Sequence, residues 1–210
     1  MTGFAETLAR ARLVPVIVIR DIAHAVPLAE ALVEGGLPLL EITLRSDSAL
    51  EAMRRISAEV KGAMVGAGTV TGAAQIAASK AAGAQFIVSP GFTEAVASAA
   101  REQSLPLLPG VATPSDIMRG LAQDLSLFKF FPAEILGGIA ALKALAGPFP
   151  GVKFCPTGGV TANNLADYLA LPNVIAAGGS WMVPADLVEA RAHGRIRALA
   201  QEAARIAQSA

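Results

Sequence analysis

The sequence predicts an α/β fold: a single (β/α)8 barrel preceded by one extra N-terminal helix. Three observations carry that prediction. Short apolar runs alternate from end to end with alanine-rich stretches of helical spacing, the pattern of parallel strands joined by crossover helices. The runs number eight. The first of them, Val14–Ile19, passes into Arg20-Asp21-Ile22 with no glycine, whereas an open doubly wound sheet would place a glycine-rich phosphate loop there. At 210 residues the chain lies near the short end of this fold's ~200–400 residue range, and it reads as one domain, 1–210.

The elements follow in order. Residues 1–12 carry Glu6, Arg10 and Arg12 among apolar residues and read as an amphipathic helix, not as a signal peptide. The predicted strands are Val14–Ile19, Pro38–Leu44, Ala63–Val70, Ala84–Gly91, Leu105–Ala112, Leu127–Ala133, Lys153–Gly159 and Val174–Trp181. Between them, Ala23–Glu34, Ala49–Val60, Ala73–Ala82, Glu94–Gln103 and Ser115–Gln123 repeat apolar residues at three- and four-residue spacing. Asp21, Ser48, Thr71, Thr93 and Thr161 stand where side-chain oxygens cap first-turn amides, and glycines at 35, 36, 62, 83 and 147 stand where helices stop. A last helix is expected over Ala185–Ala210, its Arg191, Arg195 and Arg197 forming a solvated face.

Composition narrows the function classes. Hydrophobic residues make up 53%, which excludes a disordered chain. Charged residues are only 16%, against about 25% in an average domain, and point to faces buried between subunits. Seventeen acidic and seventeen basic residues cancel, so bulk charge recruits neither nucleic acid nor an anionic membrane. Mean hydropathy is +0.52, yet no apolar stretch reaches the ~20 residues of a membrane helix. The single cysteine, Cys155, forbids an internal disulfide and fits a reducing cytosol; a cytoplasmic protein is expected. One cysteine with the isolated His24 and His193 offers no zinc set, and no metal or other cofactor is expected. Cys155 reads as a small buried hydrophobe, both histidines as surface or packing residues, and Lys153 as exposed.

The decisive pattern is charge on the wrong face. In Leu39-Leu40-Glu41-Ile42-Thr43-Leu44-Arg45, the residues Leu40, Ile42 and Leu44 belong against the helices, which turns Glu41 and Arg45 into the barrel. In Leu127-Phe128-Lys129-Phe130-Phe131, the same logic turns Lys129 inward. An unpaired buried charge costs several kcal/mol, so each must be paired, neutralised or useful. A desolvated lysine amine is a nucleophile suited to Schiff-base chemistry with a carbonyl substrate. Glu41 could then shuttle protons, and the Arg45 fork could hold a carboxylate. The strand ends add binding groups: Thr69 after Gly66-Ala67-Gly68, Ser89-Pro90-Gly91, Thr157-Gly158-Gly159 and Gly178-Gly179-Ser180. Glycine pairs after the last two strands stand where such barrels bind phosphate through backbone amides.

These segments resemble landmarks of one family. Lys129-Phe130-Phe131-Pro132-Ala133-Glu134 resembles the signature around the Schiff-base lysine of the 2-keto-3-deoxy-6-phosphogluconate (KDPG) aldolases. Glu41-Ile42-Thr43-Leu44-Arg45, Gly66-Ala67-Gly68-Thr69-Val70, Ser89-Pro90-Gly91, Phe154-Cys155-Pro156-Thr157-Gly158-Gly159 and Gly178-Gly179-Ser180-Trp181 resemble its other landmarks, in order and spacing. The resemblance implies a cofactor-independent class I aldolase of the Entner-Doudoroff pathway, a homotrimer. It implies cleavage of a phosphorylated keto acid to pyruvate and glyceraldehyde 3-phosphate. In that reading Lys129 forms the iminium and Glu41 is the general acid/base. Arg45 and Thr69 hold the carboxylate, and Gly158, Gly159 and Ser180 hold the phosphate. Pro90, Phe131 and Thr157 wall the pocket, with Thr157 a candidate reader of hydroxyl stereochemistry.

Alternatives within the family are the galactonate epimer and 4-hydroxy-2-oxoglutarate. Outside it stand a phosphoribosyl-type isomerase and a non-catalytic sugar-phosphate-binding barrel, neither of which needs a buried Lys129. Arg20 fits either the pocket or a solvated loop, and Trp181 fits either pocket wall or packing.

Overall fold

The computed structural model describes residues 2–210, so Met1 of the expected first helix lies outside the described residues. In chain order the elements are α1 (Thr2–Ala11), β1 (Leu13–Ile17), α2 (Ala25–Glu34), β2 (Leu39–Thr43), α3 (Ala49–Glu59) and β3 (Met64–Gly68). Next come α4 (Ala73–Ala81), β4 (Phe86–Val88), α5 (Glu94–Glu102), β5 (Leu107–Leu108), β6 (Gly110–Val111), α6 (Pro114–Leu121) and β7 (Leu127–Phe130). The last are α7 (Gly138–Ala146), β8 (Lys153–Pro156), α8 (Leu165–Leu169), β9 (Ala177–Gly179), α9 (Ala185–Glu189) and α10 (His193–Ser209). No helix among the described residues is long and apolar enough to cross a membrane.

The strands form a curled six-stranded parallel sheet, ordered β5-β4-β3-β2-β1-β9, and a three-stranded parallel sheet, β6-β7-β8. Within each sheet consecutive strands are neighbours, and β9 lies beside β1, Leu13 opposite Ala177. The doubly wound alternative would reverse its strand order part-way, and this sheet does not. The predicted fifth strand, Leu105–Ala112, is broken into β5 and β6 at Pro109, which has no N–H for the ladder. Single bridges join Phe154 to Val174 and Thr157 to Gly178 between the second sheet and the β9 region.

Side chains alternate as the sequence demands. Leu40, Ile42, Ile87, Phe128, Phe130 and Phe154 join the large core under the helices. Their neighbours along the strands point the other way, where Val14, Leu39, Phe86, Val88, Leu108 and Cys155 form a second, smaller core. Helix α1 supplies Phe4 and Leu8 to that second core, and the Phe4 and Phe86 rings lie 5.0 Å apart. The first helix is thus a plug under the N-terminal ends of the strands.

Several local expectations are corrected. Asp21 and Thr93 accept first-turn amides as expected. Ser48 instead donates to the Arg20 carbonyl, and at residues 71 and 161 the backbone amide donates to the downstream side chains of Gln75 and Asn164. An unforeseen capping box joins Thr113 and Asp116 ahead of α6. The expected helix Ala185–Ala210 is two helices, interrupted at Arg191 with φ of 54°. Helix α10 packs on α2, where Arg197 pairs with Glu34 at 2.7 Å.

Candidate functional site

The site lies where β2 and β7 send charged residues inward above the second core. Register fixes this. Glu41 pairs with Gly66 of β3, two residues above Leu39, and Lys129 pairs with Cys155 of β8. Lys129 is 6% exposed and Glu41 2% exposed, and the Lys129 Nζ stands 3.2 Å from Glu41 Oε1. Neither charge could stay there alone, and each neutralises the desolvation of the other. The ammonium also lies 5.2 Å from the centre of the Phe131 ring, within cation–π range.

Space for the Glu41 carboxylate is reserved by a glycine. A Cβ on Gly68 would come 2.3 Å from Glu41 Oε1, so no other residue fits. Thr69 follows with φ of 59°, a strained left-handed conformation of the kind that collects at functional sites. Arg45 stands exposed at the mouth, and its Nε donates to Thr43 Oγ1 at 3.3 Å. The buried Thr43 hydroxyl in turn donates to the Ile17 carbonyl at 2.9 Å. Thr43 went unassigned in the sequence, although it shares the inward face of Glu41 and Arg45. That shared alternation was the available signal.

On the opposite wall, Gly158 and Gly159 have φ of 96° and 84°, so only glycines make this turn without strain. Among the described residues, neither amide donates to a protein acceptor. The 320 Å³ cavity between these walls brings together Glu41, Arg45, Thr69, Pro90, Lys129, Phe131, Thr157, Gly158, Gly159 and Ser180, all ten residues expected there. Gly179, of the second glycine pair, also lines it, and Val16, Thr43 and Val160 complete the lining and were not anticipated. Arg20 is exposed and lines a second cavity of 350 Å³ with His24, which meets the first at Val16, Arg45 and Ser180. Trp181 packs over Gly179, where a Cβ would strike its ring, and does not line the site cavity. Cys155 is buried beneath Lys129, and that burial pushes its thiol up to about 12, which makes it an inert neighbour.

A buried lysine–carboxylate pair at the C-terminal mouth of parallel strands defines a class: enzymes that act on carbonyl substrates through lysine. Within that class the chain belongs to the KDPG and KHG aldolase family, whose model matches residues 4–199. It is 54% identical over 202 residues to the 2-dehydro-3-deoxy-phosphogluconate aldolase of Dickeya dadantii, covering 96% of this chain and 95% of the relative. The KDPG aldolase of Zymomonas mobilis, solved with 3-phosphoglycerate, superposes with a TM-score of 0.89 at 48% identity, covering 95% of this chain and 94% of that one. The KDPG aldolase of Legionella pneumophila, solved with pyruvate captured as a covalent carbinolamine, gives 0.91 at 44% identity, covering 94% and 96%.

Proposed function

We propose that this protein is a class I aldolase that cleaves 2-keto-3-deoxy-6-phosphogluconate to pyruvate and glyceraldehyde 3-phosphate. The observation that carries the reading is the Lys129–Glu41 pair, 3.2 Å apart inside the cavity. In the resting pair the ammonium is not a nucleophile. Transfer of one proton to Glu41, within hydrogen-bond reach, frees the amine as substrate displaces water. The amine adds to the C2 ketone, and Glu41 returns its proton to the carbinolamine hydroxyl, which leaves as water to give an iminium and a free Glu41 carboxylate. Glu41, through a water, takes the C4 hydroxyl proton. The C3–C4 bond breaks, its electrons pass into the iminium, and the aldehyde departs. Protonation of the resulting enamine at C3 and hydrolysis release pyruvate and restore Lys129.

Arg45 and Thr69 hold the carboxylate in this scheme. The unpaired amides of Gly158 and Gly159, with Ser180, hold the phosphate, and Pro90, Phe131 and Thr157 wall the cavity. The pathway step is that of Entner-Doudoroff sugar-acid breakdown. The same pyruvyl site would serve 4-hydroxy-2-oxoglutarate, and the galactonate epimer would differ at Thr157. The free glycine amides favour a phosphorylated substrate over the former.

We further infer that the two sheets are arcs of one (β/α)8 barrel and that residues 1–210 form one domain. The bridges at Phe154 and Thr157 and the continuity through Pro109 support this. A homotrimer is supported by the low charge and by the exposed Met118, Leu121 and Ile135. The free buried cysteine supports a reducing, cytoplasmic setting.

Borohydride reduction in the presence of pyruvate, followed by peptide mass spectrometry, tests the function. A reduced pyruvyl adduct on Lys129 is the expected result. A folded protein that forms no adduct with excess pyruvate is not a class I aldolase.

A further inference from the structure

Behind the glycine turn lies a pair that the reaction scheme does not use. Glu134 sits in the turn after β7, five residues beyond Lys129. Its amide donates to the Gly158 carbonyl at 3.0 Å, and the amide of Ala133 donates to the Thr157 carbonyl at 2.8 Å. The Glu134 side chain runs directly under Gly159, where a Cβ would come 2.3 Å from Glu134 Cγ. Its carboxylate accepts a hydrogen bond from the hydroxyl of Tyr168, which α8 buries completely. Gly138 is cleared for this contact, since a Cβ there would stand 2.8 Å from the Tyr168 hydroxyl and 3.0 Å from Glu134 Oε1. Burial, and then the adjacent carboxylate, push the Tyr168 hydroxyl above its ordinary value, so it stays a donor across neutral pH.

Backbone, side chain and two glycine clearances thus converge on one carboxylate. We propose that Glu134, anchored by Tyr168, is a positioning residue that holds the Gly158–Gly159 turn at a fixed place relative to Lys129, and so sets affinity for the phosphate end of the substrate. The proposal rests on the reading of that turn as the phosphate site. Glu134 touches no reacting atom in this role. It fixes the distance between the anion and the carbonyl carbon that Lys129 must reach, which is a requirement of orientation.

The experiment compares Glu134→Ala, Glu134→Gln and Tyr168→Phe with the unaltered protein. Three quantities are measured: KM and kcat for the phosphorylated substrate, the same for 4-hydroxy-2-oxoglutarate, and the rate of pyruvate trapping on Lys129 by borohydride. Loss of a hydrogen bond to a charged group should raise KM for the phosphorylated substrate about 10-fold in Glu134→Ala. Tyr168→Phe should change it in the same direction. Glu134→Gln keeps an oxygen that accepts from Tyr168 and should stay close to wild type. KM for the unphosphorylated substrate and the trapping rate should not move in any variant. An unchanged KM in Glu134→Ala overturns the proposal. So does an equal loss on both substrates, a slowed trapping rate, or a Glu134→Gln as impaired as Glu134→Ala. If the unaltered protein shows no preference for the phosphorylated substrate, the phosphate reading itself falls, and that result is independent of every variant.

Discussion

The two ends of the strands' inner face are made by the same strands and hold opposite kinds of residue. At the base are Val14, Leu39, Phe86, Val88, Leu108 and Cys155, with Phe4 and Leu8 of α1 beneath them. At the mouth are Glu41, Thr43, Lys129 and Thr157, all buried and all polar. Two residues along a strand suffice to cross from one world to the other, from Leu39 to Glu41 or from Cys155 to Thr157. The base is held by area removed from water. The mouth is held by pairing, because the buried Lys129 and Glu41 have given up water and face each other. The dry floor also keeps solvent from beneath the Lys129–Glu41 pair, which strengthens the interaction between them.

Substitutions can break that contrast at either end. The largest effect is expected from Lys129→Ala, which should abolish turnover and pyruvate trapping. Because it strands Glu41 without its counter-charge, it should also destabilise the fold by about 3–5 kcal/mol in a denaturant titration. Lys129→Met combined with Glu41→Gln should recover most of that stability without activity. If the double variant is less stable than Lys129→Ala, the pairing argument fails.

Gly68→Ala comes next. Its methyl group displaces the Glu41 carboxylate, and a misplacement near 1 Å should lower kcat about 100-fold. Gly66→Ala, two residues earlier on the same inward face, meets the Phe86 ring at 2.2 Å instead. Overpacking the base should cost about 1–3 kcal/mol of stability and leave kcat of the folded enzyme nearly unchanged. Exchange of these two outcomes would show that activity and stability are not divided between mouth and base.

The smallest effect concerns Cys155. Its thiol ionises near 9.0 when exposed and only at about 12 in the fold. The unfolded chain therefore releases a proton first. The stability tied to this group is complete below pH ~9 and is lost as pH rises through the folded value. Cys155→Ala should flatten the alkaline decline in Tm relative to wild type, and parallel declines would remove the group from this role.

Much of this was legible because alternation is a local property. Leu40, Ile42 and Leu44 against Glu41, Thr43 and Arg45 fixed which face was inward, and Phe128 and Phe130 did the same for Lys129. Glu41, Arg45 and Lys129 share one cavity for that reason, and the other seven expected lining residues come from strand-end positions and the family resemblance. What escaped depends on partners far along the chain. Thr43 positions Arg45 through a carbonyl 26 residues away, and Tyr168 meets Glu134 across 34. The role of α1 as a plug depends on Phe4 meeting Phe86, which nothing in residues 1–12 announces. The missed caps at Ser48, Thr71 and Thr161 show the same limit at short range, since a hydroxyl near a helix start has several acceptors and donors to choose from.

The plug has a kinetic consequence. Phe4 and Leu8 close the floor, and the site opens at the other end of the strands, where the exposed Arg45 stands. In the proposed reaction the pyruvyl half stays bound to Lys129, beside Cys155 of this floor. After cleavage the aldehyde is free to leave while pyruvate is still held as the enamine on Lys129. Departure is thus ordered by the covalent bond, and product inhibition should show it: pyruvate, released last, competes with substrate for the empty enzyme.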